Sequence, residues 1–377
     1  MRVCYFGTYR AKYSRNQIMI AGLRANGVEV LECHERLWHG IDDRVKVLRG
    51  GWLSPAFWVR VIKAYWRLMV KYKKIPDHDF LVVGYPGQVD VFLARWLARR
   101  RRIPLAWDVF MSLPLITAER GLDKANPLAM TLLHRIEKTA LQFPDLLLQD
   151  TPQYVNWFQK NYATPRDRFR LVPTGADDRV FCRFQGHNKP KPPFRLLYYG
   201  TFIPNHGVEY IIQAIKALTT EKNFHLELIG DGPSRPIMEE LSKKHNLKNI
   251  IFTDRLDKIK LVKKISQADI CLGSFGNTPQ AVMTIQNKVY ETLAMAKPLI
   301  TGESPAIAQT FTHGIHIYTC ERENGESLAQ AIQTLYENPS LRERLSQEGY
   351  AYYQKYFTIE KIGEKYIEHL REILPKE

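Results

Sequence analysis

Twice along this chain, short, largely apolar runs alternate with longer amphipathic stretches, and once, between the two series, the alternation stops. The first series is Val3–Phe6, Val28–Leu31, Phe80–Val83, Pro104–Trp107, Leu146–Leu148 and Leu171–Val172. A strand that is apolar on both faces has to be covered on both faces, which is the condition of a parallel sheet with helices above and below it. Stretches such as Gln17–Ala25, Val89–Arg99, Leu128–Leu141 and Gln153–Lys160 supply those helices. The break is Phe184–Phe194, which holds three prolines and a glycine in eleven residues and has no apolar period. That composition predicts a linker.

A second series follows, with strands expected at Leu196–Tyr199, Leu226–Ile229, Ile250–Phe252, Ile270–Leu272, Leu299–Thr301 and His316–Tyr318. A helical tail, Leu341–Leu374, is broken near Phe357–Thr358. The pattern therefore predicts an α/β chain of two Rossmann-like, doubly wound domains, 1–183 and 195–355, joined by 184–194. The last helix, 356–377, is expected to return to the first domain. Open parallel sheets bind ligands beyond the carboxyl ends of their strands, so two such sheets place the expected site in a cleft between them.

Composition narrows the classes. At 377 residues and 45% hydrophobic, the chain has enough apolar mass for two cores. Cys4, Cys33, Cys182, Cys271 and Cys320 are scattered, odd in number and without metal-ligand spacing, which reads as reduced thiols in a cytosolic compartment. The opening Met-Arg-Val-Cys-Tyr-Phe-Gly reads as a buried strand rather than a secretory leader. No run approaches the ~18 apolar residues of a spanning helix.

The net charge of +15 points to an anionic partner. It is concentrated. Trp52 to Arg102 carries eleven Lys and Arg against three Asp, a net +8 that includes four consecutive arginines, Arg99–Arg102. Wound as a helix, Phe57–Lys74 puts Trp58, Val61, Ile62, Tyr65, Met69 and Tyr72 on one face and Arg60, Lys63, Arg67, Lys71 and Lys74 on the other. Such a helix suits an anionic lipid interface. It equally suits an aromatic face packed on the core with a solvated basic side. Trp58, Arg60, Lys63, Arg67 and Lys71 are the candidate membrane residues.

Four features of the second half share the theme of holding a nucleotide diphosphate. Tyr198-Tyr199-Gly200-Thr201 ends a strand, and its loop runs to a helix start near Gly207, where exposed N–H groups attract phosphate. Gly230-Asp231-Gly232 directly follows another strand, where two glycines let backbone approach a ligand. Asn287 is placed as the N-cap of a helix Lys288–Ala296, and Glu291 lies one turn along it. That carboxylate can accept two hydroxyl hydrogen bonds of a ribose diol. Thr301-Gly302-Glu303-Ser304-Pro305 is the adjacent strand-to-helix loop. Taken singly, each is also what an ordinary turn looks like.

As a set, in this order and spacing, these features resemble the C-terminal domain of retaining glycosyltransferase family 4, within the GT-B fold. Asp150-Thr151-Pro152-Gln153-Tyr154 and Leu171-Val172-Pro173-Thr174-Gly175-Ala176-Asp177, followed by Phe181, resemble the family's usual end of the first domain. Tyr356-Phe357-Thr358 fits its tail. The resemblance implies a nucleotide-sugar donor in the second domain, an acceptor in the first, and transfer with retention, no metal and no cofactor. It implies that the leaving phosphate helps take the acceptor proton. By position Glu291 matches the ribose-binding carboxylate, Gly200, Thr201 and the loop to Gly207 match the diphosphate loop, and Glu303 and Ser304 lie near the donor.

Two departures stand out. The family's second Glu, eight residues before the first, is Met283 here. Its loop Arg and Lys are replaced by Thr201 and His206. The chain thus resembles the subgroup with an N-K-V-Y-E pattern, and Lys288 and His206 become the candidates for the missing positive charge. In the first half, Gly7-Thr8-Tyr9 follows the first strand and is placed on the acceptor side. Asp108 at a later strand end is expected to meet the acceptor hydroxyl or the sugar, or else to cap a helix. With Lys288 it makes the candidate catalytic pair. Expected partners are a nucleotide-sugar, a lipid-linked or saccharide acceptor and an anionic membrane surface on the cytoplasmic side, with no specific nucleic acid. The alternatives are an epimerase of similar fold, or a basic nucleic-acid- or membrane-binding protein without activity.

Overall fold

The computed structural model describes residues 1–38, 43, 51, 54–121, 126–183, 193–218 and 224–374. Most of the expected linker, 184–192, lies outside them. The chain divides into two compact units, one made of Met1–Thr174 and Ile359–Glu377, the other of Gly175–Thr358.

The first unit holds a six-stranded parallel sheet: β1 (Arg2–Gly7), β2 (Glu29–His34), β3 (Phe80–Val83), β4 (Leu105–Asp108), β5 (Leu146–Gln149) and β6 (Phe169–Leu171), in the order β2-β1-β3-β4-β5-β6. Strands β3, β4 and β5 are buried along their whole length, as their continuous apolar runs require. Helix Ser14–Ala25 packs against the late helix Ile359–Arg371 so closely that their backbones touch. A Cβ on Gly363 would stand 2.0 Å from the Gly22 carbonyl oxygen. Two glycines facing each other are what allow this approach.

The second unit repeats the plan with β7 (Phe194–Tyr199), β8 (Phe224–Ile229), β9 (Ile250–Thr253), β10 (Ile270–Leu272), β11 (Leu299–Gly302) and β12 (Tyr318–Cys320), in the order β12-β11-β10-β7-β8-β9. Each named pairing in both sheets is parallel. The contact boundary falls between Thr174 and Gly175, ahead of the proline-rich stretch, because Ala176 and Phe181 bury themselves in the second unit's core beside Val289, Leu293 and Tyr353. The Tyr353 hydroxyl donates to the Ala176 carbonyl at 3.2 Å and ties that segment down. All five cysteines are free, and four of them are buried. Among the described residues no helix is long and apolar enough to cross a membrane.

Candidate functional site

In the second sheet the strands step outward from β7 through β8 to β9, then restart on the other side with β10, β11 and β12. The crevice of a doubly wound sheet opens where that order reverses, beyond the carboxyl ends of the two central strands. Those ends are Gly200, after β7, and Gly273-Ser274, after β10. The Lys288 side chain lies between them. Its Nζ donates to the Gly273 carbonyl at 3.2 Å and sits 4.0 Å from the centre of the Tyr198 ring. A Cβ on Gly200 would stand 2.9 Å from the same Nζ. The ammonium is thus aimed at the backbone of the Gly200 turn, where a bound phosphate would need it.

Lys288 is only 4% exposed, and burial pulls its pKa down to about 7, against the opposing charge of Glu291. Glu291, three residues on along helix Asn287–Ala294, lies on the same side of that helix. Burial pushes its carboxyl up to about 7, against the Tyr199 hydrogen bond and the charges of Lys258 and Lys288. The Tyr199 hydroxyl also donates to the Lys288 carbonyl at 3.3 Å, fixing this first turn to β7. Lys288 and Glu291 therefore change charge together near neutrality.

His206 does not supply a second cation. Burial first, and Lys288 next, hold its pKa well below the usual range, so the ring is neutral. Its Nδ1 shares a 2.8 Å hydrogen bond with the Tyr198 hydroxyl. Asn287 is not the helix cap. Gln286 occupies that position, with no side-chain cap bond, and Asn287 is the first helical residue. Ser304 caps helix Pro305–Thr310, its Oγ accepting from Ile307 N at 3.2 Å. Glu303 is exposed beside it, and Thr201 is exposed on the Gly200 turn. The Asp231 carboxylate closes its own turn by accepting from Gly232 N at 2.7 Å.

The glycines after β8 pack closely against the chain itself. A Cβ on Gly230, whose φ is +142°, would stand 1.9 Å from the Gly200 carbonyl oxygen. Gly207, at φ +59°, meets the backbone of Gly276 in the same way. These contacts set the height of the Gly200 turn beneath Lys288. Gly230→Ala is expected to cost about 1–3 kcal/mol of backbone strain and to displace that turn. Equilibrium denaturation and nucleotide binding should both weaken, and wild-type values in both would mean that the two turns do not bear on each other.

Arg322 escaped the sequence reading. Its guanidinium donates to the carbonyls of Glu303 at 2.6 Å, Gly276 at 2.6 Å and Gly302 at 3.1 Å, stapling the turns after β10 and β11. Nothing local to residue 322 announces this, because all its partners are distant in sequence. Among the described residues no group of three His, Cys, Asp or Glu is placed to hold a metal ion.

In the first unit, Asp108 is not available to a substrate. It is fully buried and forms a two-pronged ion pair with Arg15, with Nε to Oδ2 and Nη2 to Oδ1 each at 2.9 Å. The remaining Arg15 nitrogen donates to the Val172 carbonyl at 2.6 Å. Gly7 ends β1 at the reversal of that sheet and Thr8 and Tyr9 follow it, but they are held. Thr8 N donates to the buried Asp90 carboxylate at 2.7 Å, as does the Tyr65 hydroxyl at 2.7 Å. The Tyr9 hydroxyl donates to Glu32 at 3.0 Å. Burial raises the Asp90 carboxyl to about 6 despite these bonds. Asp150, after β5, is 6% exposed, and burial raises it to about 7 against the pull of Arg15 and of nearby backbone N–H groups.

The helix Pro55–Lys73 is turned from the orientation its pattern suggested. Ala64, Leu68 and Tyr72 are its buried residues, leaving Trp58 and Ile62 exposed. Arg60 pairs with Asp43 at 3.1 Å, and the exposed Lys71 pairs with Glu35 at 2.6 Å. Lys63 and Arg67 are exposed.

Comparison with known proteins agrees with this division. Residues 193–338 match the family model described as Glycosyl transferases group 1. The lipopolysaccharide core biosynthesis glycosyltransferase LpsD of Rhizobium meliloti is 26% identical over 180 residues, 48% of this chain and 50% of that protein. The alpha-D-kanosaminyltransferase of Streptomyces kanamyceticus is 24% identical over 153 residues, 40% of this chain and 39% of that one. The chain therefore matches half or less of the length of these relatives. Among solved structures, sucrose-phosphate synthase from Thermosynechococcus elongatus superposes with a TM-score of 0.74 at 17% identity over 99% of both chains. HepE of Anabaena, solved with UDP-glucose, gives 0.70 at 13% identity over 99% of this chain and 100% of that one. Residues 193–338 of the second unit are thus similar in sequence to the Glycosyl transferases group 1 family, and the chain, with its two six-stranded parallel units, has the GT-B fold.

Proposed function

We propose that this protein transfers a glycosyl group from a nucleoside-diphosphate sugar, held by the second unit, to a saccharide acceptor carried on a lipid. The observation that carries the reading is the buried Lys288 ammonium at the reversal point of the second sheet, with Glu291 on the same helix face. The diphosphate lies over the Gly200 turn against Lys288, and the ribose diol donates to Glu291. Lys288 then meets the negative charge that grows on the leaving diphosphate as the glycosidic bond breaks. Retention, and independence from a metal, follow from the resemblance to family 4. The LpsD match and the basic first unit support a lipid-borne acceptor. No cofactor takes part, because the nucleotide-sugar is a substrate.

Thermal unfolding with a panel of UDP, GDP, ADP and CMP and their sugars tests this. A ligand at about 100 times its Kd adds about 2.7 kcal/mol, roughly 5–10 °C for a unit of this size. One nucleotide class is expected to give that shift, with UDP-sugars the first to try because UDP-glucose occupies the HepE structure. Glu291→Ala is expected to remove it. If no member of the panel moves the transition, the transfer reading fails.

A further inference from the structure

The first unit exposes its apolar side chains unevenly. Along helix Pro55–Lys73, Trp58, Ile62 and Trp66 recur every fourth residue and are 50%, 65% and 65% exposed. They form a stripe turned away from the buried Ala64, Leu68 and Tyr72. Helix Asp90–Arg101 repeats the arrangement, with Phe92 and Trp96 37% and 44% exposed while Val91, Ala94 and Ala98 are buried. Among the described residues, Trp58, Trp66 and Trp96 are the only exposed tryptophans.

The two helices are neighbours. The Tyr65 hydroxyl donates to Asp90 at 2.7 Å, and the Arg101 guanidinium lies 4.9 Å from the Tyr72 ring centre. They connect β2 to β3 and β3 to β4, two crossovers that run the same way across the sheet. Right-handed crossovers in one direction put both helices on one face, so their outward sides make one surface. The exposed charges of the two helices themselves are basic, since their one acid, Asp90, is buried. Helix Pro55–Lys73 contains no acidic residue, and its exposed Lys63 and Arg67 flank the stripe. On the second helix Arg99 and Arg100 are exposed, the Arg100 guanidinium 4.5 Å from the Trp96 ring centre.

Exposed aromatic side chains gathered on neighbouring helices are unfavourable in water and mark a contact surface. Indole rings beside arginine and lysine match the interfacial layer of a bilayer, where a ring takes an apolar body and a wet edge, and the cations meet lipid phosphates. We propose that this two-helix surface seats the first unit on an anionic lipid bilayer, with Trp58, Ile62, Trp66 and Trp96 entering the headgroup region. The proposal stands on the exposed side chains of the first unit alone and is independent of the donor reading.

The test is flotation of the full chain with vesicles of phosphatidylcholine, alone or mixed with phosphatidylglycerol, together with tryptophan emission. Binding to the anionic vesicles only, a blue shift on binding and weakening by salt are expected. Lys63→Ser/Arg67→Ser should weaken binding roughly 25-fold, at about fivefold per cation. Trp58→Ser/Trp66→Ser/Trp96→Ser should abolish the blue shift and the flotation. Thermal midpoints should stay at the wild-type value because all five side chains are exposed, and if the tryptophan variant unfolds the cation variant still decides. Failure to float with anionic vesicles, or wild-type binding by the cation variant, overturns the proposal. So does self-association without vesicles that the tryptophan variant abolishes, which would assign the surface to a second copy. No donor is present in these measurements, so their outcome and that of the nucleotide panel are separate.

Discussion

Asp108→Asn is expected to destabilise the first unit by about 3–5 kcal/mol, the cost of leaving a buried charge without its partner. Both side chains of the Arg15–Asp108 pair are wholly inaccessible to solvent. Asparagine keeps the shape but leaves a full guanidinium charge facing a neutral amide. The loss spreads beyond the pair. Arg15 also donates to Val172 and, at 3.4 Å, to the Thr174 hydroxyl, so one side chain joins helix Ser14–Ala25, β4 and the end of the first unit's chain. A unit of this size should lose roughly 6–20 °C in its transition. The double replacement Arg15→Met/Asp108→Leu should recover most of that loss, because removing both charges also removes their desolvation cost. Denaturant titration of the three variants decides between two roles. If Asp108→Asn unfolds like wild type and loses only turnover, the side chain acts on substrate after all and its burial is incidental.

Lys288→Met should leave stability near the wild-type value and weaken donor binding and turnover by a hundredfold or more, the scale of losing a buried charged partner of about 3 kcal/mol. Methionine fills the lysine's volume beside Tyr198, and the unfolded chain gains no charge that the folded one must bury. pH gives a sharper check. Phosphate needs Lys288 protonated, and the ribose diol needs Glu291 ionised. With both pKa values shifted to about 7, raising the pH removes the proton from Lys288 and lowering it adds one to Glu291. Donor affinity is therefore expected to peak near neutrality and to fall on each side, by up to about tenfold per pH unit. Lys288→Met should abolish the alkaline fall, and Glu291→Gln the acidic one. Calorimetric titration from pH 5.5 to 8.5 (about 1.5 units on either side of 7) would show this. A flat profile in the wild type would remove these two groups from the donor site.

How far the molecule was legible follows from how local each signal is. The twelve described strands overlap the expected apolar runs, most fully where both faces are covered, as in β3, β4 and β5, and by a single residue each at β6 and β12, Leu171 and Tyr318. The short helices Leu113–Glu119, Pro279–Met283 and Pro305–Thr310 do not stand out, since five to seven residues hold too little of a 3.6 period to register. Composition puts the boundary in a linker at 184–194, whereas burial of Ala176 and Phe181 by residues more than a hundred positions later sets it at Thr174. Glu291 and Lys288 can be picked out together from sequence because they share one short motif, which folds as helix Asn287–Ala294. Sequence leaves Asp108 open as a substrate contact or a helix cap because the carboxyl end of a strand permits either role. What decides is Arg15, 93 residues away, and no spacing rule connects them. His206 was read as a cation because its residue type permits one, and only its burial beside Lys288 makes it neutral.

The contact of Gly22 with Gly363 has a consequence for how the chain is made. The helix that completes the first unit leaves the ribosome only after every residue of the second has been synthesised. Domains ordinarily mature in the order of translation, but here the later-made one is free to mature first. The amino-terminal sheet waits meanwhile with the Gly22 side of its first helix uncovered, and chaperone occupancy in that interval should centre there.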